Sequence, residues 1–323
     1  MIVVCGEALM DVFVGAETPT GMALDARVGG SPFNVALGLA RLGQAVAFFG
    51  GVSRGVLGER LLRALRDNGV SIDCVERLDA PTTLGLVALD ARGVPDYAFY
   101  GTGAADRRLS LEALQALPPR RRALQFGSYA MVVEPAAATL AELVEREHAR
   151  GVPQRCVIAY DPNIRLNVEP DLARWRDKLH WMAPRTDLLK LSDEDLSLLF
   201  PGRRSDDFAA DMLARGAGCV VVTRGGEGAV AWSAGATAEA QPLPVTVVDT
   251  VGAGDTFQAA LLTWLAEHDR LSPAAIRTLG REALADALHF AGAAAAITCS
   301  RRGADLPRRD ELGERAQRHA APP

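Results

Sequence analysis

A turn of small residues, Gly252-Ala253-Gly254, leads into Asp255 and then into an apolar helical pattern. Glycines let backbone N–H groups come close to a ligand, and the start of a helix offers unpaired N–H groups to an anion. A carboxylate at such a site needs a task, and the obvious one is to take a proton from a hydroxyl that attacks phosphorus. The turn is therefore a candidate phosphoryl-transfer centre, although a helix-capping Asp is the plainer interpretation of these residues alone.

Two further candidates lie near the beginning of the chain. Asp11 comes soon after the first predicted strand, where ligands of α/β proteins bind. Asn34 lies in the first turn of a helix that Gly30 precedes, with Ser31 as the predicted N-cap. Taken singly, Asp11 is also compatible with a surface acid in a loop, and Asn34 with a neutral surface residue.

Polar residues also follow two strands in the middle of the chain. Asn163 and Arg165 come after the first of them, and the guanidinium could neutralise charge on a transferring phosphoryl group. After the second, Ser192 precedes three acids, of which Glu194 or Asp195 could hold a magnesium-bound water. The alternatives are a β-turn with a surface Arg, and an acidic first turn that only favours the helix dipole.

A glycine-rich turn follows a later strand. Thr223, Gly225 and Gly228 could line a nucleotide there, or the segment could be a simple hairpin. No GxGxxG fingerprint is present, and the glycines lead into another strand rather than a helix.

The elements that must position these residues alternate as strand and helix from residue 109 onward. Helices are predicted at 110–116, 135–150, 171–182 and 205–216, and strands at 123–127, 156–160, 187–191, 219–223, 229–232 and 245–248. This alternation predicts the α/β class with a doubly wound, mainly parallel sheet. The strand-rich segments 12–30 and 84–105 predict a small β-sheet lid. The α/β core is predicted to consist of residues 1–11, 31–83 and 106–323.

Composition excludes several classes of protein. The chain has 323 residues with 49% apolar content, so it can bury a sizeable core, and a net charge of −5 does not favour nucleic acid as a partner. The only lysines are Lys178 and Lys190, and neither follows a glycine, which excludes a Walker A loop. Five scattered cysteines, no signal peptide and no membrane-length apolar run predict a cytoplasmic protein.

The order of these motifs along the chain carries a resemblance. Two segments resemble the two signatures of the PfkB, or ribokinase-like, family of carbohydrate kinases. The first is residues 29–43, which begin Gly-Gly-Ser-Pro-Phe-Asn, and the second is residues 249–257, Asp-Thr-Val-Gly-Ala-Gly-Asp-Thr-Phe. The second signature is highly specific, and the resemblance covers nearly the whole chain. The segments that begin at Gly6, Asp161, Lys190, Thr223 and Cys299 look most like bacterial fructokinases.

The resemblance implies roles at the matching positions. Asp255 would be the general base, with the backbone of Gly252, Ala253 and Gly254 as the anion hole and Arg165 as a catalytic cation. The sugar would be bound by Asp11, Gly30, Asn34, Phe99 and Asn163, and ATP by Lys190, Ser192, Thr223, Gly225 and Gly228. Asp249, Thr250 and Gly303 lie where relatives bind a monovalent cation, often K⁺. The partners would be a small sugar and ATP with Mg²⁺, without nucleic acid or membrane, and the lid would form a homodimer.

One motif departs from the family pattern. The family's Asn-x-x-Glu element, which is tied to magnesium and phosphate, matches Ser192 to Asp195 here, and both ends differ. Fructokinases often carry Ser at the first position, but Asp is a shorter carboxylate than Glu. Whether Asp195 or Glu194 organises the magnesium-bound water stays open.

The expected function is ATP-dependent phosphorylation of a sugar hydroxyl, D-fructose to fructose 6-phosphate. Other ribokinase-like substrates are the first alternative: 2-keto-3-deoxygluconate, ribose or a nucleoside. Relatives that act on the keto-acid often have an arginine in the lid, whereas here no cation follows Tyr100 until Arg107. A non-catalytic sugar or nucleotide sensor on the same fold is the second alternative, and the intact base and glycine turn disfavour it.

Overall fold

The computed structural model of the protein describes residues 1–89 and 95–313. Within them the strands are, in chain order, β1 (Ile2–Cys5), β2 (Leu9–Thr18), β3 (Gly21–Gly29), β4 (Val46–Phe49), β5 (Gly51–Ser53), β6 (Glu76–Leu78), β7 (Leu84–Leu89), β8 (Pro95–Tyr100), β9 (Ala123–Gly127), β10 (Val157–Asp161), β11 (Leu188–Ser192), β12 (Cys219–Thr223), β13 (Ala229–Ser233) and β14 (Thr237–Ala240). The α-helices are α1 (Ser31–Arg41), α2 (Val56–Asp67), α3 (Ala136–Ala149), α4 (Leu172–Met182), α5 (Asp193–Leu199), α6 (Ser205–Arg215), α7 (Ala253–Glu267), α8 (Pro273–Arg277), α9 (Arg281–Cys299) and α10 (Arg309–Leu312).

The larger sheet has the strand order β14-β13-β12-β11-β10-β9-β1-β4 in the described part of the chain. Its strands from β4 to β12 run parallel, and β13 and β14 continue it as antiparallel neighbours. Because parallel strands end at the same edge, the segments after β1, β9, β10, β11 and β12 meet there. The predicted doubly wound, mainly parallel sheet is confirmed.

Helices cover both faces of this sheet, which is why its strands are continuously apolar. Successive side chains of a strand point to opposite faces, so Ile2 and Val4 of β1 join one apolar cluster, and Val3 and Cys5 join the other. The first cluster takes residues from α1, α2, α7 and α9, and the second from α3, α4, α5 and α6. The helix that carries Asp255 is thus packed between the sheet and its neighbours α1 and α9.

A separate four-stranded sheet, in the order β3-β2-β7-β8, is formed by strands from the segments predicted as the lid. β2 pairs antiparallel with β3 and parallel with β7, and β8 closes the edge antiparallel to β7. Since β2 begins at Leu9, Asp11 lies inside this small sheet and not in a loop after β1. The sequence predicts a turn at residues 91–95 between β7 and β8, and a polar helix at the end of the chain that includes Arg308 and Arg315. Residues 90–94 and 314–323 lie outside the described residues.

Three predictions of secondary structure are wrong. Residues 245–248 are not a buried strand: they pair with no strand in the described part of the chain, and Val247 and Val248 are 60% and 61% exposed. β-branched residues favour strands only where a neighbouring strand and a core are available. The predicted helix 110–116 is a short 3₁₀ turn, Glu112–Ala116. The apolar residues 45–52 predict one strand, but the structure divides them into β4 and β5, which join different sheets.

No helix within residues 1–89 and 95–313 combines the length and apolarity needed to cross a bilayer.

Candidate active site

One large cavity, of about 770 Å³, lies between the carboxyl-end edge of the larger sheet and the small sheet. All of the predicted site residues line it except two, Asp249 and Gly303. The tertiary fold therefore brings together residues from Asp11 to Asp255 that are far apart in the chain.

Asp255 lies at the centre of the cavity wall, in the first turn of α7, and is only 8% exposed. Both carboxylate oxygens accept hydrogen bonds from the first turn of α1. The Ser31 hydroxyl donates to Oδ1 at 2.7 Å, and the Asn34 amide donates to Oδ2 at 2.9 Å. Two helix N-termini thus converge on one carboxylate and fix its orientation.

The charge of Asp255 is set by competing effects. Burial raises the pKa of its carboxyl, while the hydrogen bonds from Ser31 and Asn34 and the charges of Arg165 and Lys190 lower that pKa. A raised pKa favours proton uptake by a base, and the four groups that lower the pKa favour the ionised form that a base needs.

The turn before Asp255 needs its first glycine. Gly252 has a φ of +79°, and a Cβ on it would lie 2.7 Å from the Ala304 Cβ. Gly252 is the N-cap residue of α7, and the first N–H groups of a helix have no carbonyl partner inside it. The Ala253 N–H donates to the Thr250 carbonyl oxygen at 3.2 Å. The turn presents a positive helix end where an anion would sit.

A buried cation lies beside this turn. Lys190, in β11, has its Nζ 2.8 Å from Asp161 Oδ2 at the end of β10, and both side chains are buried. A Cβ on Gly254 would lie 3.2 Å from the same Nζ. The ammonium group is therefore held against the anion turn by a carboxylate on the neighbouring strand.

The opposite end of the cavity combines Asp11 of the small sheet with aromatic rings. Burial raises the pKa of Asp11 to about 6, Arg165 lowers it and Asp255 raises it. A Cβ on Gly29 would fall 2.1 Å from Asp11 Oδ2, so a glycine is needed beside this carboxylate. Phe99 packs edge-on against Tyr129, with ring centroids 6.5 Å apart.

Two non-glycine residues at this end adopt a left-handed backbone. Ser128 after β9 has a φ of 58°, and Asn163 after β10 has a φ of 40°; both line the cavity. Such conformations cost of order 1–3 kcal/mol and concentrate at functional sites. Near them, exposed Arg165 is a source of positive charge that acts on the carboxyls of Asp11, Asp195 and Asp255.

Asp195 and Glu194 begin α5 on the cavity wall. Ser192 is its N-cap and accepts a hydrogen bond from the Asp195 N–H at 3.0 Å. Asp195 is buried and accepts from the Ile164 N–H at 3.1 Å, while Glu194 is exposed. Burial raises the pKa of Asp195 to about 6, and Asp161 adds to this.

These acids fit a hydrated cation better than a cage of protein ligands. Within residues 1–89 and 95–313, no group of three or more His, Cys, Asp or Glu side chains could hold a metal ion. Mg²⁺ usually keeps several waters and takes one or two carboxylates together with phosphates. Asp195 or Glu194 suits that arrangement.

Asp249 and Gly303 meet each other behind the cavity wall. The Gly303 N–H donates to Asp249 Oδ2 at 2.8 Å, and the Val251 N–H donates to Oδ1 at 3.0 Å. Asp249 thereby ties the segment before α7 to the segment after α9. Thr250, between them in the chain, does line the cavity.

The glycine-rich turn is a hairpin between β12 and β13, and it still lines the cavity. Thr223 ends β12, and the 3₁₀ turn Gly225–Glu227 and Gly228 follow it. Gly228 has a φ of +87°, and a Cβ on it would fall 2.1 Å from the Ala240 carbonyl oxygen. The hairpin interpretation is therefore confirmed, and nucleotide binding by this segment stays a prediction.

A family comparison accounts for this set of residues. The model of the pfkB family carbohydrate kinases matches residues 1–311. The chain belongs to this family of carbohydrate kinases. The predicted family is confirmed.

Individual relatives are similar over almost their whole length. A fructokinase of Rhizobium leguminosarum bv. trifolii is 36% identical over 284 residues, which is 88% of this chain and 85% of the relative. Fructokinase-1 of Oryza sativa subsp. japonica is 30% identical over 311 residues, 94% of this chain and 93% of the relative. A crystal structure of fructokinase with bound ATP from Xylella fastidiosa is 27% identical with a TM-score of 0.85 and covers 98% of both chains.

Some residues of this carbohydrate kinase site were missed by sequence reasoning. Ser31 was predicted as a helix cap, but the N-cap residue of α1 is Gly30, and Ser31 makes no capping hydrogen bond. Its hydroxyl bonds to Asp255 instead. The signal was available, because Ser31 and Asn34 are three residues apart and share one helix face. Ser128 gave no such signal, since its left-handed backbone depends on tertiary contacts.

Proposed function

We propose that this carbohydrate kinase is an ATP-dependent fructokinase that converts D-fructose to fructose 6-phosphate. The observation that carries the proposal is the Asp255 carboxylate, buried in the cavity beside the anion turn and held by Ser31 and Asn34. The names of the relatives, fructokinases of a bacterium and a plant, support fructose as the sugar.

The sugar would lie between Asp11 and Asp255. Asp11, Gly30 and Asn163 would bind its hydroxyls, and Phe99 would pack on its carbon face. Asn34 donates its Nδ2–H to Asp255, so its Oδ1 is the atom that would accept from the sugar.

In the transfer step Asp255 would take the proton of the attacking hydroxyl. The backbone N–H groups of Gly252, Ala253 and Gly254, together with Arg165, would stabilise charge on the phosphoryl oxygens. Because the transition state is loose, positioning and charge neutralisation carry most of the catalysis.

ATP would occupy the end of the cavity under the hairpin, along Thr223, Gly225 and Gly228, with Lys190 and Ser192 toward its phosphates. The bound ATP of the Xylella fastidiosa structure supports this nucleotide. Asp195 or Glu194 would hold Mg²⁺ through water, and the metal would neutralise phosphate charge when bound.

A monovalent cation, K⁺, would lie near Asp249, Thr250 and Gly303. Backbone N–H groups occupy both Asp249 oxygens, so the ion would depend on carbonyl oxygens nearby. The small sheet would act as a lid over the sugar and as the surface of a cytoplasmic homodimer. Exposed Met22 and Leu24 on its edge strand β3 support that surface, and sedimentation of the purified chain tests it.

The test is ADP release by the purified chain with ATP and Mg²⁺ across a panel of D-fructose, ribose, 2-keto-3-deoxygluconate and a nucleoside. We expect the highest kcat/KM with fructose, with fructose 6-phosphate as the product. A higher kcat/KM with the keto-acid or the nucleoside would contradict fructose as the substrate. No turnover with any sugar would favour a sensor.

A further inference from the structure

Two buried threonines lie behind the anion turn, and the proposed reaction gives neither of them a task. Thr256 follows the base in α7, and Thr298 lies near the end of α9. Neither of them lines the cavity. Their hydroxyl oxygens are 2.8 Å apart, in a hydrogen bond between residues 42 positions apart in the chain. Burying two hydroxyls is costly unless both are hydrogen-bonded, so their partners show what the pair holds in place.

The threonine pair ends on the first residue of the anion turn. The Thr256 hydroxyl donates to the Gly252 carbonyl oxygen at 2.9 Å, and the Thr256 N–H donates to the same oxygen at 2.8 Å. A hydroxyl has one hydrogen, so the hydrogen between the two threonines comes from Thr298. Two successive hydroxyl hydrogen bonds therefore connect α9 with the Gly252 carbonyl.

The Gly252 carbonyl belongs to the peptide group that opens the turn. The nitrogen of this peptide group is that of Ala253, and its N–H donates to the Thr250 carbonyl oxygen at 3.2 Å. A peptide group is planar, so hydrogen bonds at both its oxygen and its nitrogen fix its direction. Gly252, with a φ of +79°, has no side chain to restrict its backbone, and the restriction must come from such contacts.

The end of α9 also holds the segment before the turn. The Cys299 carbonyl oxygen, next to Thr298 in the chain, accepts from the N–H groups of Val248 at 2.8 Å and Asp249 at 3.3 Å. A Cβ on Gly252 would lie 3.9 Å from Thr298 Cγ2, which places the threonine methyl group directly behind the turn. The threonine pair thus adds a side-chain contact to a backbone contact between the same two segments.

We propose that Thr298 is a positioning residue for phosphoryl transfer and acts through the Thr256 hydroxyl on the Gly252 carbonyl. The inference rests on the proposed fructokinase activity, in which the anion turn stabilises charge on the phosphoryl oxygens. Donors that are fixed before the reaction stabilise developing charge without reorganisation. Without the Thr298 hydroxyl the turn is held less firmly, and that loss falls on the transfer step rather than on the binding of either substrate.

The experiment compares wild type with Thr298→Val, Thr298→Ser, Thr256→Val and the double variant Thr256→Val/Thr298→Val. Val keeps the branched shape of Thr and removes the hydroxyl, whereas Ser keeps the hydroxyl and removes the methyl group. Thr263→Val is the matched control, because the Thr263 hydroxyl is buried in the same helix, donates to the Ala259 carbonyl at 2.9 Å and lies away from the cavity. The readouts are kcat, the KM for fructose, the KM for ATP and the thermal midpoint.

We expect Thr298→Val and Thr256→Val each to lower kcat by roughly 2- to 12-fold, the effect of one hydrogen bond, with both KM values unchanged. Thr298→Ser should keep the wild-type kcat, because the hydroxyl remains. In the Thr256→Val background the Thr298 substitution should have no further effect on kcat, since the group through which it acts is gone. Thr263→Val should lower the thermal midpoint and leave kcat unchanged.

Three outcomes would overturn the inference. One is a wild-type kcat in Thr298→Val. The second is a loss of kcat in Thr298→Ser or Thr263→Val equal to that in Thr298→Val, which would assign the effect to packing. The third is additive losses in the double variant, which would mean that Thr298 does not act through Thr256. All three differ from failure of the proposed function, in which wild type itself would not phosphorylate fructose.

Discussion

Ser31→Ala is the sharpest test of how Asp255 is held. The Ser31 hydroxyl donates to Asp255 Oδ1 at 2.7 Å, and it makes no hydrogen bond that caps α1. Removing the hydroxyl should therefore disturb the base and leave the helix intact. This separates a chemical role from the structural role that the position of Ser31 in the sequence indicates.

The magnitude follows from the hydrogen bond. A hydrogen bond to a charged group contributes about 1.5–3 kcal/mol, and the lower value corresponds to roughly a tenfold effect. The Ser31 bond lowers the pKa of Asp255, so its loss raises that pKa further above the ordinary value. The acidic limb of kcat should therefore move to higher pH. The deficit in kcat, at most roughly tenfold, should be largest at the acidic end of the profile and shrink as the pH rises, because the carboxyl is then ionised in both proteins.

The assay is kcat for fructose phosphorylation against pH in wild type, Ser31→Ala, Asp255→Asn and the double variant. Asp255→Asn alone should lower kcat by roughly 10²–10⁴-fold, and Ser31→Ala should then have no further effect in that background. Ser272→Ala is the matched control. Its hydroxyl accepts from the Ala275 N–H and caps α8, so its loss should cost about 1 kcal/mol of stability without moving the acidic limb.

An unmoved acidic limb in Ser31→Ala would refute the assignment of Ser31 as a partner of the base. So would additive losses in the double variant, since they would mean that Ser31 acts on something other than Asp255.

Three further perturbations test the surroundings of the base. Gly252→Ala should lower both the thermal midpoint and kcat, because residue 252 has a φ of +79° and the new Cβ would be 2.7 Å from the Ala304 Cβ. Wild-type values of both quantities would contradict the expected backbone strain. Lys190→Met should cost about 3–5 kcal/mol in urea unfolding, because buried Asp161 loses its ion-pair partner, and a neutral result would show that Asp161 finds another. Burial raises the pKa of Glu7 from the ordinary 4.5 to about 8 in the folded protein, so the folded state holds this proton more tightly than the unfolded state and loses that stabilisation as the pH rises. The free energy of unfolding of wild type should therefore fall relative to Glu7→Gln by about 1.4 kcal/mol per pH unit between about pH 5 and pH 8. Parallel curves for the two proteins would contradict this.

The fold was predictable because each strand of the larger sheet is short, apolar and followed by a helix or turn. β9 and β12 have the predicted bounds, since buried parallel strands are read directly from apolar runs between polar segments. Residues 245–248 show the limit of that reasoning. They have the same β-branched composition, but none of the described strands pairs with them, and composition alone does not reveal a missing neighbour.

The site was predictable in its members more than in its contacts. Strand ends and glycine turns identified Asn163 and Asp255, because the carboxyl edge of a parallel sheet collects such residues. Asp11 was expected at the same edge, but it reaches the cavity from inside β2 of the small sheet. The environment of Glu7 could not be predicted in the same way. Its raised pKa comes from burial and from Asp106, which is remote in the chain.

The sequence by itself determined the class of fold, the family and the residue types of a phosphoryl-transfer site, since these depend on local pattern and on motif order. Only the tertiary structure decided how the Gly252 to Asp255 turn is completed. It brought the first turn of α1 to the first turn of α7, so that Ser31 and Asn34 hold both oxygens of Asp255. Such contacts join residues more than 200 positions apart, and they depend on helix packing that no local pattern specifies.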